Sequence, residues 1–68
     1  MKLSVRNQLK GKIVAVVKGM TRAHVRIDLG SGKIITSSIT NESVDDLGLF
    51  VGDEAFAVTK ASDVMVGK

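Results

Sequence analysis

The stretch that most constrains this chain is Lys12-Ile13-Val14-Ala15-Val16-Val17-Lys18, which is apolar on both alternating faces. Its β-branched content favours a strand over a helix. A strand apolar on both faces has to be covered on both. A chain of 68 residues buries a modest fraction of its surface and is marginal as a lone monomer. One small core covers one face of this strand, so the other face calls for a second chain. The hydrophobic content, 44% of residues, exceeds what one small core needs and points to subunit interfaces as well. There is no Cys, so neither a disulfide nor a thiolate metal site can supplement the core.

The rest of the chain reads as one β domain over residues 1–68. Lys18-Gly19-Met20-Thr21 is a turn, with Gly19 as its expected positive-φ residue. Thr21 to Leu29 alternates cleanly: Ala23, Val25, Ile27 and Leu29 share one face, and His24, Arg26 and Asp28 share the other. Gly30-Ser31-Gly32-Lys33 is a hairpin loop, and Ile34 to Thr40 is the return strand. The period then changes. Ser43 precedes Asp46 by three, as in a capping box, and Asn41 could cap one step earlier. Gly48 is placed to end this short helix in a left-handed conformation, with Val44 and Leu47 packing it down. Gly52-Asp53 is a turn before a fourth strand, Glu54 to Lys60, and Ser62 to Val66 is expected as a fifth. Three strands, a short helix and two strands define the expected class: all-β, a small five-stranded OB-like barrel with the helix between strands three and four.

Several functions lack their parts. The one His, His24, lies on the polar face of a strand and reads as a solvated surface residue. A zinc site needs about four ligands at set spacing, and no such cluster occurs. A Ser nucleophile needs a base held by a third group, and none is evident. No enzyme is expected. No apolar stretch is long enough to span a membrane, and the N-terminus has no apolar signal-peptide run, so a cytoplasmic location is expected. OB-like barrels bind single-stranded nucleic acid by stacking bases on aromatic platforms. This chain has no Trp or Tyr, and Phe50 and Phe56 sit in apolar segments that read as core. The OB-like outline makes nucleic acid the main rival reading, and the missing aromatic platforms weigh against it. A purely structural oligomerisation module is a third.

The polar residues favour a different ligand. The opening stretch Leu3-Ser4-Val5-Arg6-Asn7-Gln8-Leu9-Lys10-Gly11 carries a hydroxyl, a guanidinium and two amides in what otherwise reads as the start of a strand. Near the other end, Lys60 closes a strand. A tetrahedral oxyanion needs N–H and O–H donors and one or two positive charges, and carboxylates would repel it. Arg6 supplies a planar fork suited to bidentate contact, Lys60 a point charge, and Ser4 and Ser43 hydroxyls. Ser43 lies where a helix N-terminus favours negative charge. The net charge of +3 agrees with an anionic partner.

With these residues in hand, the chain resembles the molbindins, the small molybdate-binding Mop proteins. It also resembles the Mop domains at the C-terminus of molybdate-dependent regulators and importer ATPases. The resemblance spans essentially the whole chain and rests on three blocks: Ser4 to Gly11, Ile39 to Val44 with Leu47-Gly48, and Lys60 to Met65. It implies a homohexamer built as a trimer of dimers, with molybdate or tungstate bound between subunits and no organic cofactor. It also implies a role in intracellular molybdenum storage or homeostasis. Carried over by position, the oxyanion ligands are Ser4, Arg6, Ser43 and Lys60, with the peptide N–H of Val5 as a further donor. The family usually has Ala or Gly where this chain has Val5, which keeps the backbone donor but narrows the pocket. Family hexamers also hold oxyanions near the threefold axis, and Ser62 is a candidate ligand for a further site.

Overall fold

The structure is a computed structural model in which residues 6–68 are described. Four antiparallel strands form one curled sheet: β1 (Asn7–Lys18), β2 (Arg22–Gly30), β3 (Lys33–Thr40) and β4 (Glu54–Thr59), in the spatial order β3-β2-β1-β4. A single helix, α1 (Asn41–Leu47), joins β3 to β4. The architecture is an OB-like half-barrel, open between the edges of β3 and β4.

The doubly apolar stretch is where β1 bends. Ile13 pairs with Ile27 and Ala15 with Arg26, so Val14 is an extra residue that bulges from the ladder. Both backbone groups of Ile13 are taken by the turn before β4: its N–H donates to Asp53 O at 2.8 Å, and its carbonyl accepts from Gly52 N at 2.8 Å. Beyond the bulge, Val16 pairs with buried Val25 and faces the core. Val17 pairs with His24 on the outer face and is 60% exposed. Gly11 makes the other close approach of β1. A Cβ there would lie 2.6 Å from Asp28 O and 2.6 Å from Ile27 Cγ2, so only glycine lets β1 and β2 pack at this point.

Ile13, Ala23, Val25, Ile27 and Val44 form the buried core. The alternation along β2 is as expected, and the β2–β3 hairpin turns on Ser31 (φ 55°) and Gly32 (φ 76°). A two-residue loop with positive φ at both positions matches the right-handed twist of the flanking strands. Gly19 does not adopt positive φ. It is needed for closeness instead: its N–H donates to Arg22 O at 2.7 Å, and a Cβ would meet that oxygen at 2.9 Å.

Three further expectations are corrected. First, the segment Ser62–Val66 is not a fifth strand. Residues Ala61–Asp63 form a single 3-10 turn, and Val64 to Lys68 belong to no regular element. A strand needs a neighbour to pair with, and among the described residues none pairs with this segment. Second, Leu47 does not hold the helix down, being 69% exposed. Gly48 is left-handed as expected, and it turns half-buried Leu49 back onto the core. Gly48 N donates to Asp45 O and Leu49 N to Val44 O, both at 3.1 Å, a Schellman closure in which Leu49 does the packing expected of Leu47. Third, Phe50 and Phe56 are not core, at 63% and 47% exposed. Phe56 pairs across the sheet with Lys10, which puts it on the outer side of β4. Among the described residues, no helix is long and apolar enough to cross a membrane.

Candidate functional site

The register of β1 against β4 places two of the expected ligands. The last rung is Asn7 opposite Thr59. Arg6 and Lys60 each lie one residue beyond it, at the same end of the same ladder, and both are exposed. Among the described residues the salt bridges are Lys10–Glu54 and Lys18–Asp45, so neither Arg6 nor Lys60 is ion-paired to a carboxylate. Ser62 follows in the 3-10 turn and is exposed. Ser4 and Val5 lie outside the described residues.

Ser43 is held elsewhere and by a different cap than its spacing to Asp46 implies. β3 stays extended through Thr40 (φ −70°, ψ 151°), so Thr40 is the N-cap and Ser43 is already in the first helical turn. Neither Ser43 nor Asn41 caps the helix. Thr40 Oγ1 accepts from Ser43 N at 3.0 Å and donates to Ser43 Oγ at 2.8 Å. Ser43 Oγ therefore receives one bond and keeps its own O–H to give. Asn41 ties this turn down: its backbone N–H donates to Thr21 O at 2.8 Å, and its Nδ2 donates to Gly19 O at 3.0 Å. Asp45, on the helix, pairs with Lys18 Nζ at 2.5 Å. Thr40 and Asn41 are the residues the motif reading missed as positioning groups. The signal was present in the Thr-x-x-Ser spacing but was overshadowed by Ser43-x-x-Asp46.

These bonds fix α1 at the Lys18–Thr21 end of β1, while Arg6 and Lys60 sit at its Asn7 end. A strand rises about 3.3 Å per residue, so even a right-angle bend at the bulge leaves the two ends of β1 roughly 25 Å apart. The whole molecule is 33 Å in its longest dimension. Arg6 and Lys60 are thus brought together, and Ser43 is kept away from them within one chain.

Thirteen large apolar residues are exposed among the described ones, with Met20, Met65 and Val66 above 90%. The opening between β3 and β4 is an apolar groove of about 710 Å³ lined by Ile35, Ile39, Leu47, Leu49, Ala55 and Ala57, among others. A half-barrel with two cations at one strand end, a hydroxyl held at a distant helix start and an uncovered interior is the architecture of a small binding module.

The TOBE domain model matches residues 3–66. A "Probable molybdenum-pterin-binding protein" of Haemophilus influenzae is 49% identical over 67 residues, covering 98% of this chain and 97% of its own length. Among solved structures, MopII from Clostridium pasteurianum superposes with a TM-score of 0.92 at 45% identity, covering 98% of this chain and all of its own. A molybdate-binding protein from Sporomusa ovata superposes with a TM-score of 0.91 at 38% identity, covering all of both chains. The chain belongs to the TOBE domain family and, within it, to the small Mop proteins.

Proposed function

We propose that this protein binds molybdate or tungstate as the free oxyanion, in sites completed between subunits of a homo-oligomer. Arg6 and Lys60 of one subunit supply the charge and the bidentate fork. Ser43 of another supplies a hydroxyl, and Ser4 and the Val5 N–H add donors. Ser62 serves a further site. One observation carries the reading: Arg6 and Lys60 share one end of β1 while Ser43 is tied to the other, so these groups converge on one anion when a second chain supplies the missing half. The exposed apolar groups and the open groove support the same assembly, since a monomer rarely leaves so much apolar surface uncovered. The oligomer is a hexamer arranged as a trimer of dimers.

The printed names of the relatives support molybdenum as the cargo. The bare oxyanion rather than a pterin complex follows from the donor set: two cations and small hydroxyls, with no aromatic side chain beside them to stack on a pterin ring. The protein is then a cytoplasmic binding protein for storage or homeostasis rather than an enzyme, with neither nucleic acid nor membrane as a partner. The test is native mass spectrometry with elemental analysis of protein purified without added ligand. Bound Mo or W in a hexamer is the expected result. A metal-free monomer, a retained oligonucleotide, or pterin fluorescence in stoichiometric amount would each overturn this reading.

A further inference from the structure

The convex face of the sheet carries a feature the oxyanion site does not use. Arg22, His24 and Arg26 alternate along β2, all exposed and all on the side opposite the core, and half-buried Asp28 ends the row with Oδ1 accepting from Gly30 N. Successive members are about 7 Å apart, so the row extends about 14 Å. Its neighbours on β3 are neutral: Thr40, Ser38 and Thr36 sit opposite the three in turn. Arg22 is already oriented, with Nε donating to Ser38 Oγ at 3.1 Å and a terminal nitrogen donating to Ser38 O at 2.7 Å. Neither arginine is ion-paired to a carboxylate among the described residues. On the β1 side the row is bordered by apolar residues. Val17 pairs with His24 and Ala15 with Arg26, and Val17 is well exposed.

We infer that this face is a docking surface for a second, acidic protein. Charge complementarity sets the sign of the partner. The choice of protein rests on composition: arginines rather than lysines beside an exposed valine match the make-up of protein interfaces, where Arg is enriched and Lys depleted. A single-stranded nucleic acid would need aromatic platforms along the groove, and none of the side chains that border this row is aromatic. A partner offering carboxylates at matching spacing pairs with the row and covers Val17. Within one chain the row is remote from Lys60 and Arg6, but its Arg22 end pairs with Thr40, which caps Ser43, so a partner here borders the helix half of the anion site.

The test uses the whole assembled protein and a fluorescein-labelled twelve-residue peptide of glutamate, glycine and leucine, followed by anisotropy at two salt concentrations. The double variant Arg22→Ser with Arg26→Ser is compared with Lys33→Ser with Lys68→Ser, which removes the same charge away from the row. A third variant, His24→Gln with Arg26→Gln, keeps the Arg22–Ser38 bonds in case their loss unsettles β3. Binding that falls about tenfold in both row variants and less than about twofold in the lysine control supports the inference. Equal losses in row and control variants mean non-specific attraction to net charge and overturn it. Absence of peptide binding by the parent overturns it too, as does a twelve-residue oligouridylate that binds the row more tightly than the peptide.

Discussion

If one anion draws Arg6 and Lys60 from one chain and Ser43 from another, then two inactive chains can repair each other. Ser43→Asp places a carboxylate where the anion should sit. It leaves the helix intact, because an acidic residue in the first turn suits the macrodipole. Lys60→Glu does the same at the strand end. Each variant alone should bind no molybdate. In randomly mixed oligomers each site takes its strand-end half from one chain and its helix half from another. An intact site arises when the first is a Ser43→Asp chain and the second a Lys60→Glu chain, which gives about a quarter of sites in an equal mixture of a symmetric assembly. The two chains are co-expressed with different tags, purified through both, and assayed for Mo per chain against the parent. The register supplies an internal control: Arg6 and Lys60 lie one residue beyond the same rung, so Arg6→Glu mixed with Lys60→Glu should restore nothing. Recovery near zero in the first mixture would refute the shared site. Recovery in the second would refute the pairing of Arg6 with Lys60.

Other outcomes follow from the same geometry. Arg6→Lys keeps the charge but loses the fork, and should weaken molybdate binding in calorimetry by about one charge-assisted hydrogen bond, roughly 1.5–3 kcal/mol; Lys60→Arg should weaken it by crowding, and parent-like binding by both would remove these residues from the site. Thr40→Ala should lower stability by about 1 kcal/mol in a denaturant titration because Thr40 is the cap, and Ser43→Ala should weaken anion binding with a smaller effect on stability. Gly11→Ala should lower the melting midpoint at fixed protein concentration: overpacking against backbone Asp28 O costs roughly 1–3 kcal/mol, against about 0.5–1 kcal/mol regained by replacing glycine in a strand. Gly67→Ala, with nothing within 4 Å of an added Cβ, is its neutral comparison.

Much of the fold is legible because it is written in local patterns. Ala23, Val25 and Ile27 alternate with polar residues, and all three are buried. The paired positive-φ residues Ser31 and Gly32 and the left-handed Gly48 sit where turn chemistry puts them. What was not legible depends on partners distant in sequence. Ser62 to Val66 has strand-like composition, but a strand exists only with a neighbour, and the described residues provide none there. Phe50 and Phe56 look like core by hydropathy, yet the direction of Phe56 follows from its rung opposite Lys10. The bulge at Val14 leaves no residue signature and still decides that Val16, not Val17, faces inward. Ser43 was misread as a cap because the cap depends on how far β3 stays extended, and that is set by its pairing with Arg22 rather than by the residues themselves.

The candidate ligands were legible as chemistry and illegible as geometry. Residue type alone selects Arg6, Lys60 and Ser43 as candidate donors. It cannot say that a twelve-residue strand separates the first two from the third. Under the proposed function, that separation ties ligand binding to assembly. A site built from two chains exists only in the oligomer, so the anion stabilises association by RT ln(1 + [L]/Kd), about 2.7 kcal/mol per site when the free anion is at a hundred times Kd. The converse also holds: dilution that separates subunits releases the cargo without any change in the chain's own fold. In such a design the exposed apolar surface of the single chain and its polar strand ends are parts of one device. Under the proposed function, the apolar surface holds the subunits together and the strand ends give the assembled protein its ligand.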